Sequence, residues 1–225
     1  MAFSDAYRDM EAHGKTMLHV IHTNDKKQMA ASLEQYERHL RLQREKIIGI
    51  DLEYNNKPDA TQKSSLVQLS VDKTRPVLVF QLSAAERYTV FANFLTDPRL
   101  ECVNLEVANF VDIQKEWRVL EATKELDSLA DVAGMLIDDY DNNMKKKITN
   151  EEHARWASLP LSMRHFEYAA KDAYAAYEIW NRITFTQDGL RHAKLEKEEP
   201  PGSVPGAAGE TLPGEEAEGT GQEQT

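Results

Sequence analysis

The chain has 225 residues, of which 41% are hydrophobic and 29% charged, with 38 acidic side chains against 27 basic ones and a net charge of −11. Such a length and apolar share predict one domain of roughly 190 residues with a buried core, and no second full domain. Cys102 is the single cysteine, which excludes an internal disulfide and a cysteine-based zinc site, and no run approaches the roughly 20 apolar residues of a membrane span.

Residues 1–16 read as an N-terminal extension. Met1 to Asp5 shows no basic region followed by an apolar run, so the protein is expected to be intracellular, in nucleus or cytoplasm, and not secreted. Residues 17–194 read as the domain. Met17 to Thr23 forms the first predicted strand, and Asn24-Asp25 caps a helix whose apolar positions Met29, Leu33, Tyr36 and Leu40 recur at helical spacing. The run Ile47, Ile48, Ile50, Leu52 predicts a second strand through Tyr54. After a polar loop come the alternating Ser65 to Val71 and the continuous Val77 to Phe80, which suggest hairpin-connected strands of a mixed sheet.

Ala85 to Leu95 carries a helical stripe that Thr96-Asp97-Pro98 terminates, and Cys102 to Leu105 reads as a further strand. Helices are predicted over 108–120 and 127–137. Asn142 to Lys147 is a basic loop, Leu159 to Ser162 begins a helix, and that helix, containing Tyr168, runs to about Phe185. Residues 195–225 form an acidic tail rich in Pro, Gly and Glu, with too few large apolar residues to offset the entropy of ordering, and are expected to be disordered. The tail holds eight acids and one base, so the body without it has a net charge of only −4, and charge neither supports nor excludes a nucleic-acid partner. Such a tail offers a surface to a basic protein partner, or is simply solvated. Strands followed by helices describe an α/β, ribonuclease H-like three-layer fold, a mixed sheet flanked by helices.

Two stretches carry chemistry. In Gly49-Ile50-Asp51-Leu52-Glu53-Tyr54 a strand's period of two puts Asp51 and Glu53 on one side. In Tyr168-Ala169-Ala170-Lys171-Asp172-Ala173 a helix stacks Tyr168 and Asp172, four apart, on one face, beside the packing stripe Phe166, Ala169, Ala173, Tyr177, Trp180. Each pattern alone is common on surfaces. Together they suit a site where several carboxylates hold Mg²⁺ or Mn²⁺ for phosphodiester hydrolysis.

These two motifs, with Ser64 to Ser70, Val77 to Phe80, Trp156 and Leu161-Ser162, resemble the 3′-5′ exonuclease domain shared by ribonuclease D and the Werner-syndrome exonuclease, in its tyrosine-bearing DEDD branch. The resemblance covers roughly residues 17–190. It implies a two-metal (Mg²⁺ or Mn²⁺) exonuclease acting on RNA or DNA 3′ ends, with Asp51, Glu53 and Asp172 as metal ligands and Tyr168 as the catalytic tyrosine that places the attacking water. The family's remaining acid falls within Asn104 to Trp117, where two registers compete: Asp112 keeps the ligand, whereas Phe110 at that place loses it. A helix turns about 200° over two residues, so one position serves and not both. Glu106 is a weaker substitute. The degenerate motif leaves open a catalytically impaired protein that binds nucleic acid or protein on the same fold.

His19 and His22 are three apart and fall on opposite strand faces, which argues against a shared metal. Lys145 to Lys147, Arg155 and Arg164 are either phosphate contacts or solvated surface, and Trp117, Trp156 and Trp180 read as core or anchoring residues.

Overall fold

The computed structural model describes residues 2–54, 64–82, 88–96, 113, 128–137, 148–159 and 161–198. Contacts divide the chain into Met1–Asp188, which holds the sheet and its helices, and Gly189–Thr225, described only through its helical residues 189–198.

Among the described residues five strands build one mixed sheet in the order β1-β2-β5-β4-β3, with β1 Ser4–Ala12, β2 Thr16–Thr23, β3 Gly49–Tyr54, β4 Ser64–Ser70 and β5 Val77–Gln81. Strands β3, β4 and β5 form an antiparallel meander, β5 lies parallel to β2, and β1 is antiparallel to β2. All five residues of the central β5 are buried, as an apolar run covered on both faces must be. The predicted strands over 17–23, 47–54, 65–71 and 77–80 therefore form, within a residue or two. Strand β1 is a difference: residues read as an extension pair with β2 and supply Tyr7, Met10 and Ala12 to the core.

Helix α1, Lys26–Leu40, begins where the Asp25 carboxylate accepts a hydrogen bond from the Lys27 amide and buries Met29, Leu33, Tyr36 and Leu40, the predicted stripe. These residues pack on Val67, Leu69, Leu78 and Phe80, together with Phe94 and Leu95 of α2, Thr89–Leu95. The buried Tyr36 hydroxyl faces the carbonyls of Leu69, at 3.2 Å, and Pro76, tying α1 to the turn between β4 and β5. Burial pushes its pKa well above the ordinary tyrosine range.

The other face of the sheet carries Leu18, Val20, Leu66, Val77 and Val79, which pack against Phe166, Ala169, Ala170, Ala173 and Tyr174. Those residues belong to the long helix Met163–Glu198, numbered α5 after α3, Leu129–Leu136, and the short α4, Asn150–His153. Helix α5 continues well beyond Phe185, where the sequence pattern ends. Its apolar stripe fades there, but residues 190–198 are mostly good helix formers and Pro200 is the next proline, so nothing stops the helix sooner. Helix α3 is capped by Ser128 and packs Val132 and Ala133 against Ala175, Ile179 and Ile183, with Ile113 and Trp180 at the margin. Arg182 secures it by donating to the Leu136 carbonyl at 2.9 Å. None of the described helices is long and apolar enough to cross a membrane. The strand predicted over 102–105, the Lys145 to Lys147 loop and the acidic tail beyond Glu198 lie outside the described residues.

Candidate active site

Among the described residues β3 lies at one end of the sheet, and its alternation sends Ile50 toward the α1 side while Asp51 and Glu53 face α5. The register with β4 shifts just after Glu53, since Glu53 faces Leu66 while Tyr54 faces Ser64, so the regular ladder ends at the second acid.

The approach of α5 to β3 depends on Gly49. A Cβ there would sit 2.2 Å from the Ala173 carbonyl oxygen, 2.5 Å from the Tyr177 amide nitrogen and 2.9 Å from the Tyr177 Cβ. Glycine on the strand and alanines 169, 170 and 173 on the helix let the two backbones nearly touch. Tyr177 closes this seam. Its hydroxyl pKa is pushed up to about 12, first by burial and then by nearby charge on Asp72 and Glu178.

This contact delivers Asp172 to the strand. One carboxylate oxygen each from Asp51, Glu53 and Asp172 lie within 4.8 Å of one another, with Asp172 buried and the other two half-buried. Three anions so close repel by on the order of 3–4 kcal/mol per pair at an effective dielectric constant near ~20. The donor set, three hard oxygens from two rigid elements, fits Mg²⁺ or Mn²⁺ and offers nothing to a soft metal.

Tyr168 stands one turn before Asp172 on α5, half-buried, with its ring tilted against Trp156 at 6.0 Å and edge-on to His153 at 6.4 Å. Trp156 is fully buried, in keeping with a core role, and donates from Nε1 to His153 Nδ1 at 3.3 Å. Its carbonyl accepts from Gln81 Nε2 at 2.8 Å. His165 locks the same corner: Nε2 lies 2.9 Å from the Glu152 carbonyl and must donate, so Nδ1, 2.6 Å from Ser162 Oγ, accepts the hydroxyl proton in the neutral ring. Thr149 and Glu152 form a capping box at the start of α4, and the Thr149 backbone amide holds the Glu152 carboxyl below its ordinary pKa, with Arg164 3.1 Å away adding to the effect. The Thr-x-x-Glu spacing at 149–152 is a sequence signal for this corner that the chain-order reading passes over.

Asp51, Glu53, Asp172 and Tyr168 are thus brought to neighbouring faces of one strand and one helix. Asp112, Phe110 and Glu106 lie outside the described residues, as do Lys145 to Lys147 and Trp117. Arg164 is ion-paired with Glu152, Arg155 is exposed, and Trp180 flanks the α3 packing. His19 is exposed and His22 buried, on opposite faces of β2 as the spacing requires. Burial holds the His22 imidazole below its ordinary pKa, partly offset by Gln81 and Asp5.

No family model matches the sequence. No curated protein matches it either. Among solved structures, the chain is similar to the crystal structure of the Nibbler EXO domain from Aedes aegypti, with a TM-score of 0.52, 18% identity, and coverage of 77% of this chain and 89% of that one. The apo form of a nuclease is similar at a TM-score of 0.48 and 19% identity, covering 72% of this chain and 82% of that one. At such identities the likeness concerns fold alone. The mixed sheet flanked by helices is the expected α/β class of fold, and it is similar to that of the Nibbler EXO domain.

Proposed function

We propose that this protein is a 3′-5′ exonuclease that hydrolyses phosphodiester bonds at nucleic-acid 3′ ends with two Mg²⁺ or Mn²⁺ ions. The observation that carries the reading is the convergence of Asp51, Glu53 and Asp172 within 4.8 Å on the fold of an exonuclease domain. Bound divalent cations there would supply Lewis acidity toward the phosphate and an acidified water. The residues' own work is to bind and orient. Asp51 and Glu53, fixed by the strand, and Asp172, fixed by the helix, present oxygens to the cations, and Asp112 is the proposed fourth ligand. Tyr168, wedged by Trp156 and His153, turns its hydroxyl toward the attacking water and restrains its position. Water oxygen bonds to phosphorus, the bond to the 3′ oxygen breaks, and that oxygen takes a proton. The products are a nucleoside 5′-monophosphate and a chain shorter by one residue with a new 3′ hydroxyl.

The test is a 5′-labelled oligonucleotide, RNA or DNA, incubated with Mg²⁺ or Mn²⁺. The reading expects a ladder of single-residue steps from the 3′ end, abolished in Asp51→Asn and Asp172→Asn variants that remain folded. A second reading rests on the sequence Asn104 to Trp117, where Phe110 competes with Asp112 for the ligand position. It keeps the fold and the binding of nucleic acid or a protein partner while turnover is lost. No shortening with either cation at high protein concentration, together with retained oligonucleotide binding, would favour it.

A further inference from the structure

We infer that Gln68 is a positioning residue for the metal centre: when a cation binds, its buried side-chain amide takes up the Asp51 carboxylate and keeps it in its ligating orientation. The inference deepens the metal-binding reading of the three acids and rests on it.

Gln68 lies in β4, directly across from Asp51 on one side and from Val79 on the other. Alternation along β4 sends Leu66 into the cluster beneath α5 and Val67 and Leu69 into the opposite one, so Gln68 shares the α5 face with Asp51. Residues directly opposite on neighbouring strands have Cβ atoms roughly 4.5–5.5 Å apart, within reach of a glutamine amide. Gln68 has no exposed surface, and neither its Oε1 nor its Nε2 has a hydrogen-bond partner among the described residues.

An amide buried without a partner destabilises a fold, and an apolar residue would suit a position flanked by Leu66 and Val79 better. Gln81, on the neighbouring β5, shows how a glutamine serves structure in this sheet: its Nε2 donates to the carbonyls of Ser65, at 3.0 Å, and Trp156, at 2.8 Å. Gln68 makes no such bonds. Among its same-face neighbours Leu66, Ser70, Val79 and Asp51, only Asp51 is charged, and an N–H donated to a carboxylate is among the stronger hydrogen bonds. Asp51 has two oxygens. With one committed to a cation, the other can be held by Gln68 Nε2, directly or through a buried water, which fixes the rotamer of the ligand. Outer groups of this kind are worth about 10–100-fold in metal affinity.

The experiment is a Mn²⁺ titration of the full chain followed by the electron paramagnetic resonance signal of free Mn²⁺, run beside thermal unfolding without metal. Wild type, Gln68→Met, Gln68→Asn and Asp172→Asn are compared. Gln68→Met should unfold at the same temperature as wild type or higher, because an unpaired amide is removed, while its Mn²⁺ Kd rises about 10-fold or more. Gln68→Asn, whose amide stops one methylene short of Asp51, should also bind more weakly, and it carries the test if the methionine variant fails to fold. Wild-type affinity in either folded variant overturns the inference and leaves the metal site standing. Failure of wild type to bind Mn²⁺ more tightly than Asp172→Asn overturns the metal reading itself.

Discussion

Gly49→Ala tests the seam that assembles the site. The added methyl would meet the Ala173 carbonyl oxygen at 2.2 Å and the Tyr177 nitrogen at 2.5 Å, and both are backbone atoms that no rotamer change can move away. Restoring an ordinary separation of about 3.5 Å requires α5 and β3 to part by roughly 1 Å. Overpacking of this kind costs about 1–3 kcal/mol. At roughly 2–4 °C per kcal/mol for a domain of this size, melting should fall by about 2–12 °C. Asp172 directly precedes Ala173, so the same displacement spreads the carboxylates now within 4.8 Å, and a shift near ~1 Å in a catalytic group can cost about 100-fold in rate. Gly189→Ala is the control. Gly189 lies in the same helix, a methyl added there would meet nothing within 4 Å, and the alanine should stabilise by about 0.5–1 kcal/mol. Calorimetry and Mn²⁺ titration of both variants are the assays. A Gly49→Ala protein with wild-type melting and wild-type Mn²⁺ affinity would refute the argument that close backbone approach builds the site.

Tyr168→Phe keeps the ring packing on Trp156 and His153 and removes only the hydroxyl, so kcat should fall about 100-fold or more while Mn²⁺ affinity and melting hold; equal losses in affinity would mean that the hydroxyl supports the ligands instead. Tyr36→Phe leaves the Leu69 and Pro76 carbonyls without their buried donor and should cost about 1–2 kcal/mol in urea denaturation; no change would show that the hydroxyl bonds contribute nothing net. His22 has a folded pKa below its ordinary value of 6.5, so below that pH the unfolded chain takes up a proton that the folded chain resists. Its contribution to stability therefore falls as pH drops through 6.5 toward the lowered folded value, and His22→Leu should flatten the pH dependence of urea stability across that window. An unchanged slope would count against a neutral buried imidazole.

The parts of the fold that were legible in the sequence are those whose burial is periodic. Helix α1 buries Met29, Leu33, Tyr36 and Leu40 at the predicted spacing, and β5 is a continuous apolar run because both its faces are covered. The acids of β3 and α5 were legible for the same reason, since period two and period four place them on defined faces. Strand β1 was hidden because it is a polar strand whose register shifts between Tyr7 and Met10, which breaks the alternation that would reveal it. The C-terminal part of α5 was hidden because its apolar stripe fades while its helix propensity does not. Gln68 has no local signature of its role, and the corner formed by His153, Trp156, Ser162 and His165 has only the Thr149-x-x-Glu152 capping-box spacing at its start. Gln68 acquires one only through the β3–β4 register, and the rest of the corner through hydrogen bonds closed across the chain between Glu152 and His165.

The central claim is that Asp51, Glu53 and Asp172 are ligands of one nucleolytic metal centre. The most direct measurement is an anomalous difference map from crystals grown with Mn²⁺. A peak is expected among the three carboxylates, at ligation distances of about 2 Å, with Asp112 at a second ion. A map without density between them at saturating Mn²⁺, or with the ion bound elsewhere on the chain, would contradict it.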